Sequence, residues 1–361
     1  MPKVLPPVAI KKSRLKKIVL DPVATAKAAQ LVYVNNNDEG IMRIKGGKGF
    51  IYKLKNRIVK NKAELQRIQS LVLPPAWEDA WICVQHNGHL QATGKDIKGR
   101  KQYRYHPLWN QYRNHTKFYR MLELGKVLPK IRQQIQKDLA LPGLPKNKVL
   151  ATVISLMEKT GIRIGNEFYE KLYGSFGLTT LKDKHVNING GMIKFTFRGK
   201  KGVEHQVSLR SKMLSRIVHQ CRDIPGKELF QYIDEEGNRQ SIESGMVNEY
   251  IKSIAEGEFT AKDFRTWCGS VAALTAIKET GAFETQKEAK QKIAEVLDKV
   301  SLQLGNTRTV CKKYYVHPCL LEIYENGKIE KWLKKMESGG KINSYDLLAE
   351  EKIFIDILES L

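Results

Sequence analysis

Residues 193–209 read IKFTFRGKKGVEHQVSL, and their alternation decides the fold class. Ile193, Phe195 and Phe197 alternate with Lys194, Thr196 and Arg198, the period of two that gives a strand one apolar and one polar face. After Gly199-Lys200-Lys201-Gly202 the alternation resumes on Val203, His205, Val207 and Leu209. Two such runs around a glycine-bounded turn predict a β-hairpin with Lys200 and Lys201 at its tip. Its surroundings follow the helical period instead. Upstream, NKVLATVISLMEKTG (147–161) sets Val149, Leu150, Val153, Ile154 and Met157 on one helix face. Downstream, Thr260-Ala261-Lys262-Asp263 resembles a capping box opening the helix FRTWCGSVAALTAI, with Asp263 in place of the usual Glu or Gln. A helix from about Gln286 to Leu304 stops at Gly305, and Pro318 starts another. A hairpin set among helices means α+β.

Working outward, residues 31–106 read as β structure, with LVYV, GFIYKL and AWICVQ separated by the turn signals NNNDEG, GGKG and HNGH. Residues 57–70 look like one short helix. From about Leu108 a long helical pattern begins, broken by PGLPKN at 142–147. The expected organisation is a basic arm over 1–30, a β-rich domain over 31–107, a larger mostly helical domain over 108–324 and a tail over 325–361 without an assigned role.

Charge narrows the partners. The 361 residues carry 62 Lys+Arg against 38 Asp+Glu, a formal net charge of +24, which favours a polyanion. Residues 1–108 hold 21 basic and 7 acidic side chains, whereas 325–361 hold 6 and 8, so the surplus fades only at the end. Five cysteines, Cys83, Cys221, Cys268, Cys311 and Cys319, contain no Cys-x-x-Cys pair, which argues against a disulfide framework or a zinc site. The start, MPKVLPPVAIKKSRLKK, has no apolar stretch of signal-peptide kind, and the longest apolar run, around Val271–Ile277, is too short to span a bilayer. A soluble protein with reduced thiols is expected, cytoplasmic and nucleoid-associated if the source is bacterial.

No Walker-type glycine loop, no metal-spaced His/Asp cluster and no Gly-x-Ser-x-Gly occurs. If this chain cuts nucleic acid, cationic side chains must therefore supply the electrostatics. Transfer of a phosphodiester to an oxygen nucleophile needs an aligned nucleophile, cationic donors around the non-bridging oxygens and an acid for the leaving alkoxide. A tyrosine suits a reversible transfer, because its phenolate is also a good leaving group. Arginine suits the phosphate, because its planar fork can bind two oxygens and stays charged.

Five motifs meet these needs in order: TGIRIGNEFY (160–169), YGSFGLTTLKDKHV (173–186), FTFRGKKGVEHQ (195–206), KDFRTWCG (262–269) and LGNTRTVCKKYYVHP (304–318). With LPPAWEDAWICVQHNGHLQATGKDIKGRKQYRYHPLWNQYR (73–113), they resemble type IB DNA topoisomerases of the compact bacterial and poxvirus branch, over roughly residues 35–320. The resemblance implies Tyr315 as nucleophile, forming a 3′-phosphotyrosyl bond, with Arg163 and Arg265 clamping the phosphate. It implies Lys200 as general acid, Lys262 assisting it, and Asn306 donating a hydrogen bond to a phosphate oxygen. Gln102, Tyr103 and Tyr105 match major-groove readers and Tyr169 a phosphate contact. No ATP, metal or other cofactor is implied; the partner is double-stranded DNA, held by a monomer that closes as a clamp. Many relatives carry histidine where Asn306 stands, and an amide adds no positive charge.

Taken singly, each residue has an ordinary role. Arg163 is a helix-end salt-bridge residue, Arg265 a surface charge, and Lys200 a solvated hairpin tip with Lys201 as its rival. Tyr314 equals Tyr315 by composition, and the tyrosines of KQYRYH would usually pack in a strand. Two other functions compete. A tyrosine recombinase shares the Arg, Lys, Arg and Tyr chemistry but usually has His-x-x-Arg where this chain has Lys262-Asp-Phe-Arg265. An inactive basic DNA-binding protein would have no need of the tyrosine.

Overall fold

The computed structural model describes residues 21–361 except 48, 98, 100 and 337–344, together with the backbone but not the side chains of 111 and 114–119. The chain divides into two compact units, residues 1–120 and 121–361. The first is small and β-rich, and the second is larger, mostly helical and carries the hairpin. The class is α+β.

In the first unit, helix α1 (Pro22–Ala28) occupies part of what the sequence suggests is a loose arm. Asp21 caps it by accepting from the Val23 N–H at 2.8 Å, and Pro22 sits at its first position. Ala26, Ala29 and Leu31 then bury against Trp109 and Tyr112. Residues 1–20 of that arm lie outside the described residues.

Strands β1 (Gly40–Gly46), β2 (Gly49–Leu54) and β3 (Arg57–Ile58), then β4 (Glu78–Cys83), β5 (Leu90–Lys95) and β6 (Lys101–Tyr105), form one antiparallel sheet in the order β3-β2-β1-β4-β5-β6. Between β3 and β4 lies α2 (Lys62–Ser70). Residues 57–70 are thus a strand and a helix rather than one helix. Asn61 fixes the break, because its side chain accepts from the Glu64 N–H and starts α2 there. Ile68 of α2 buries against Ile41, Ile82 and Ala92 of the sheet. β6 is an edge strand, with β5 its one hydrogen-bonded neighbour among the described residues.

Helix α3 (Pro107–Leu139) contains the division between the units. In the second unit, α4 (Lys146–Thr160) is expected to be amphipathic but is buried on every side from Lys148 to Met157. Two of its buried polar residues are satisfied locally: Lys148 Nζ donates to the Leu141 carbonyl at 2.7 Å and Thr152 Oγ1 to that of Lys148 at 2.8 Å.

After α5 (Glu167–Tyr173) come β7 (Val186–Asn189), β8 (Met192–Arg198) and β9 (Glu204–Arg210), a three-stranded antiparallel sheet. The predicted hairpin is its β8–β9 half, in register Ile193↔Leu209, Phe195↔Val207 and Phe197↔His205. Ile193, Phe195 and Phe197 are buried while Lys194, Thr196 and Arg198 are exposed. Then follow α6 (Lys212–Asp223), the short pair β10 (Gln231–Ile233) and β11 (Arg239–Ser241), α7 (Ser244–Ala255), α8 (Ala261–Thr280) and α9 (Gln286–Leu304). α4 packs against α6, α7 and α8, and α8 against α9.

Helices α10 (Arg308–Tyr314), α11 (Pro318–Glu325), α12 (Glu330–Met336) and α13 (Ala349–Glu359) complete the unit. α13 packs on α8, with Ile353, Phe354, Ile357 and Leu358 buried.

Candidate active site

Arg163 lies just beyond the end of α4. Gly161 closes that helix in the left-handed region (φ 64°), which only glycine adopts at little cost. Ile162 and Ile164 are buried, so alternation leaves Arg163 half-buried on the opposite side. The loop is pinned by Leu178 N–H donating to Arg163 O at 2.8 Å and Thr179 N–H to Ile164 O at 2.6 Å. Arg163 Nη2 donates to Asn306 Oδ1 at 2.5 Å.

Arg265 lies in the first turns of α8, whose start is fixed by the Asp263 carboxylate accepting from the Thr260 N–H at 2.9 Å and hydroxyl at 2.8 Å. It is buried at 5% exposure rather than a surface charge. Its two terminal nitrogens donate to the carbonyls of Gly161 and Leu304. Those carbonyls close two helices, α4 and α9, where backbone acceptors lack intrahelical partners and the helix dipole is negative. A buried cation thus finds partners without a carboxylate. Its Nε is also buried and has no hydrogen-bond partner among the described residues. Burial, and then Arg163 nearby, pull the guanidinium down to about 10, with Tyr315 opposing them.

Asn306 follows Gly305, a left-handed stop to α9 (φ 56°), and its own N–H donates to Ser301 O at 3.0 Å. Thr307 caps α10, and Tyr315 ends it. Tyr315, nine positions after Asn306, is therefore reached through one short helix that returns the phenol to Arg265, whose guanidinium carbon stands 5.1 Å from the ring centre. Tyr314, the rival by composition, is exposed beneath the Lys313 ammonium, 5.3 Å from its ring centre.

Other predicted residues are not drawn into this cluster. Lys200 and Lys262 are exposed, and neither takes part in an ion pair among the described residues. Lys201, beside Lys200, has a left-handed backbone (φ 64°). Tyr169 is exposed on α5 and stacked on Tyr173 with ring centres 6.0 Å apart. Gln102, Tyr103 and Tyr105 belong to the first unit. There Gln102 donates to Asp96 at 3.0 Å, and exposed Tyr103 stacks on half-buried Tyr105 at 5.8 Å.

Three residues escaped the sequence reading. Ser270 Oγ donates to Tyr315 O at 3.3 Å and accepts from the His317 N–H at 3.0 Å, holding the segment around the phenol. Gly269 lets α8 approach that segment, since a Cβ there would meet Tyr315 O at 2.6 Å. His205 is buried beside Gly305. The signal was available: a Gly-Ser pair one turn after Arg265, and a histidine on an otherwise apolar strand face.

Among the described residues no group of three or more His, Cys, Asp or Glu could hold a metal, and the five cysteines are unpaired. No described helix is long and apolar enough to cross a membrane.

The arrangement has counterparts elsewhere. The family model for the catalytic core of eukaryotic DNA topoisomerase I matches residues 106–339, and that for the N-terminal domain of bacterial DNA topoisomerase IB matches 49–96. DNA topoisomerase 1B of Acanthamoeba polyphaga mimivirus is 34% identical over 297 residues, covering 80% of this chain and 88% of the relative. DNA topoisomerase 1B of vaccinia virus (strain Copenhagen) is 26% identical over 71% of this chain and 77% of its own length. DNA topoisomerase 1 of rabbit fibroma virus (strain Kasza) is 27% identical, with 66% and 73% covered.

Proposed function

The chain belongs to the type IB DNA topoisomerase family, and from that premise we propose that Tyr315 is its nucleophile and that Arg163, Arg265 and Asn306 form the phosphate site around it. As a member of that family it is an isomerase that relaxes supercoiled duplex DNA by cutting one strand, letting it swivel and resealing it.

In the proposed step the Tyr315 phenolic oxygen gives up its proton to water and attacks the scissile phosphorus. A P–O bond to tyrosine forms as the bond to the 5′ oxygen breaks, and that oxygen leaves with a proton from Lys200, assisted by Lys262. Arg163 and Arg265 stabilise the charge that gathers on the non-bridging oxygens. The 3′-phosphotyrosyl ester keeps the energy of the broken bond, so the freed 5′-hydroxyl can reverse the reaction without ATP or metal.

One observation carries this reading: the buried Arg265 guanidinium over the Tyr315 ring, with its Nε unpaired. A buried donor without a partner is unusual, and a phosphate oxygen would satisfy it. The reading extends to Gln102, Tyr103, Tyr105 and Tyr169 as DNA contacts, and to a monomer that grips the duplex as a clamp, cytoplasmic and nucleoid-associated in a bacterial host.

The test is relaxation of negatively supercoiled plasmid in EDTA without ATP, beside Tyr315→Phe. Wild type is expected to relax the plasmid and the variant to leave it supercoiled. Denaturant should trap protein on the 3′ end of the nick. An active variant, or a 5′ linkage, overturns the assignment.

A further inference from the structure

The hairpin tip poses a question that the phosphate site leaves open. Lys200 is exposed at the end of two strands, yet a group acting on a leaving oxygen must be held to within about an ångström. Something has to fix the tip relative to Asn306 and Arg163. Backbone contact supplies part of this, since Phe176 N–H donates to Arg198 O at 2.8 Å. The rest converges on one side chain.

His205 occupies the inward face of β9, a face otherwise apolar, and is 8% exposed. Its ring lies almost parallel to that of Phe197 across the hairpin, with centres 5.0 Å apart and planes 5° from parallel. The ring edges meet two glycines. A Cβ on Gly199 would stand 2.6 Å from its Nε2, and one on Gly305 would stand 2.1 Å from its Cε1. One flat ring therefore fills a slot between two backbones that come together only in the folded chain. Gly199 precedes Lys200, and Gly305 precedes Asn306.

A branched apolar side chain would fill a core slot on a strand but would not fit between two backbones this close. The imidazole also stands close enough to Arg163 and Arg265 for their charges to act on it. Burial in the first place, and those two arginines in the second, favour its neutral form.

We propose that His205 is a positioning residue for strand cleavage, whose ring seats the Lys200-bearing hairpin tip against the Gly305–Asn306 turn so that lysine and amide address one phosphate. The proposal rests on the function assigned above. It does not place His205 on the substrate; it acts through Lys200. Removing it should therefore impair the protonation of the leaving oxygen and spare the attack by Tyr315.

That distinction can be measured. Single-turnover cleavage is compared on an ordinary duplex and on one whose scissile 5′-bridging oxygen is replaced by sulfur, which departs as a thiolate and needs no proton. His205→Ala is expected to slow cleavage of the ordinary duplex by about 10- to 100-fold and to recover most of that loss on the sulfur duplex, as Lys200→Ala should. Equal losses on both duplexes would make the ring a simple core filler and overturn the proposal, as would cleavage at the wild-type rate.

Gly199→Ala covers the case in which His205→Ala does not fold. Gly199 has φ −94°, so alanine is acceptable to the backbone and disturbs chiefly the His205 ring. It should show the same sulfur-dependent recovery, and the double variant should be no slower than His205→Ala alone. Additive losses contradict a shared slot. Wild-type protein that cleaves neither duplex would remove the function assignment and this inference with it, whereas every other adverse outcome leaves the function standing.

Discussion

Asn306 presents its amide oxygen to Arg163 and its nitrogen to the Leu304 carbonyl at 3.3 Å, so its orientation is set by two partners of opposite kind. Asn306→Ala leaves Arg163 without that acceptor and removes one donor from the phosphate site, which should slow cleavage on the order of 100-fold. Asn306→Asp is a sharper probe. It keeps the shape and strengthens the bond to Arg163, yet turns the donor to the Leu304 carbonyl into an acceptor and sets a negative charge beside the phosphate. Cleavage should fall roughly another tenfold below the alanine variant, with the melting temperature showing whether the stronger bond to Arg163 offsets the lost one to Leu304. Single-turnover rates and calorimetry on the two variants check this, and an aspartate variant faster than the alanine one contradicts it. At this scale Arg163, Arg265, Asn306 and Tyr315 stood out through the resemblance of their motifs, while the glycines and helix caps beside them made their local structure legible. The burial of Arg265 was not, since its partners are carbonyls at the ends of two helices distant in the chain. Ser270 was hidden for the same reason, because a small polar residue inside a helix announces no partner.

The element that sequence reading left without a role is α13. Its Glu351 is 3% exposed and accepts from Arg132 through both oxygens, at 2.8 and 2.7 Å, and from Trp267 Nε1 at 2.9 Å. Arg132 also reaches Glu158 of α4 at 2.7 Å, so three helices and the tail share one ionic group behind the helix that carries Arg265. Burial alone would raise the Glu351 carboxyl, but Arg132 and Trp267 hold it below the usual range. Truncation to alanine leaves Arg132 short of a partner, and breaking such a pair costs about 3–5 kcal/mol. For a unit of this size that should lower the melting temperature by roughly 6–20 °C, with Glu351→Gln losing less. A calorimetric shift near zero would show that the tail is not tied in by this group. Secondary structure around the hairpin and α9 was readable because local periodicity and caps fix it. The role of α13 was not, because its acidic residues look like a solvated face until Arg132 and Trp267 are placed beside one of them. Residues 57–70 mislead for a local reason, since their apolar spacing suits a helix but Asn61 starts it late.

At the scale of the molecule, four histidines share one direction of shift. His89 and His106 in the first unit, and His185 and His205 in the second, are all held below the ordinary imidazole value of 6.5, with burial the first cause in each. Charge adds to it: Arg113 acts on His89, Lys184 and Lys182 on His185, and Arg163 and Arg265 on His205. A group whose folded value lies below its unfolded one takes up protons preferentially in the unfolded chain as pH falls. Its contribution is complete above the unfolded value and is lost as pH drops through it towards the folded value. The formal net charge of +24 works in the same direction, because each added proton increases self-repulsion. Carboxylates such as Glu351 follow with the same sign, but nearer 4.5 and therefore later in an acid titration. The melting temperature should consequently fall as pH is lowered from about 7.5 to about 5.5, before the carboxylates contribute. Because the histidines divide two and two, both units should show the fall if they melt separately. Thermal unfolding at constant ionic strength checks this. A unit whose midpoint holds steady across that range does not keep its two histidines neutral by burial, and a midpoint that rises on acidification reverses the sign of the whole account.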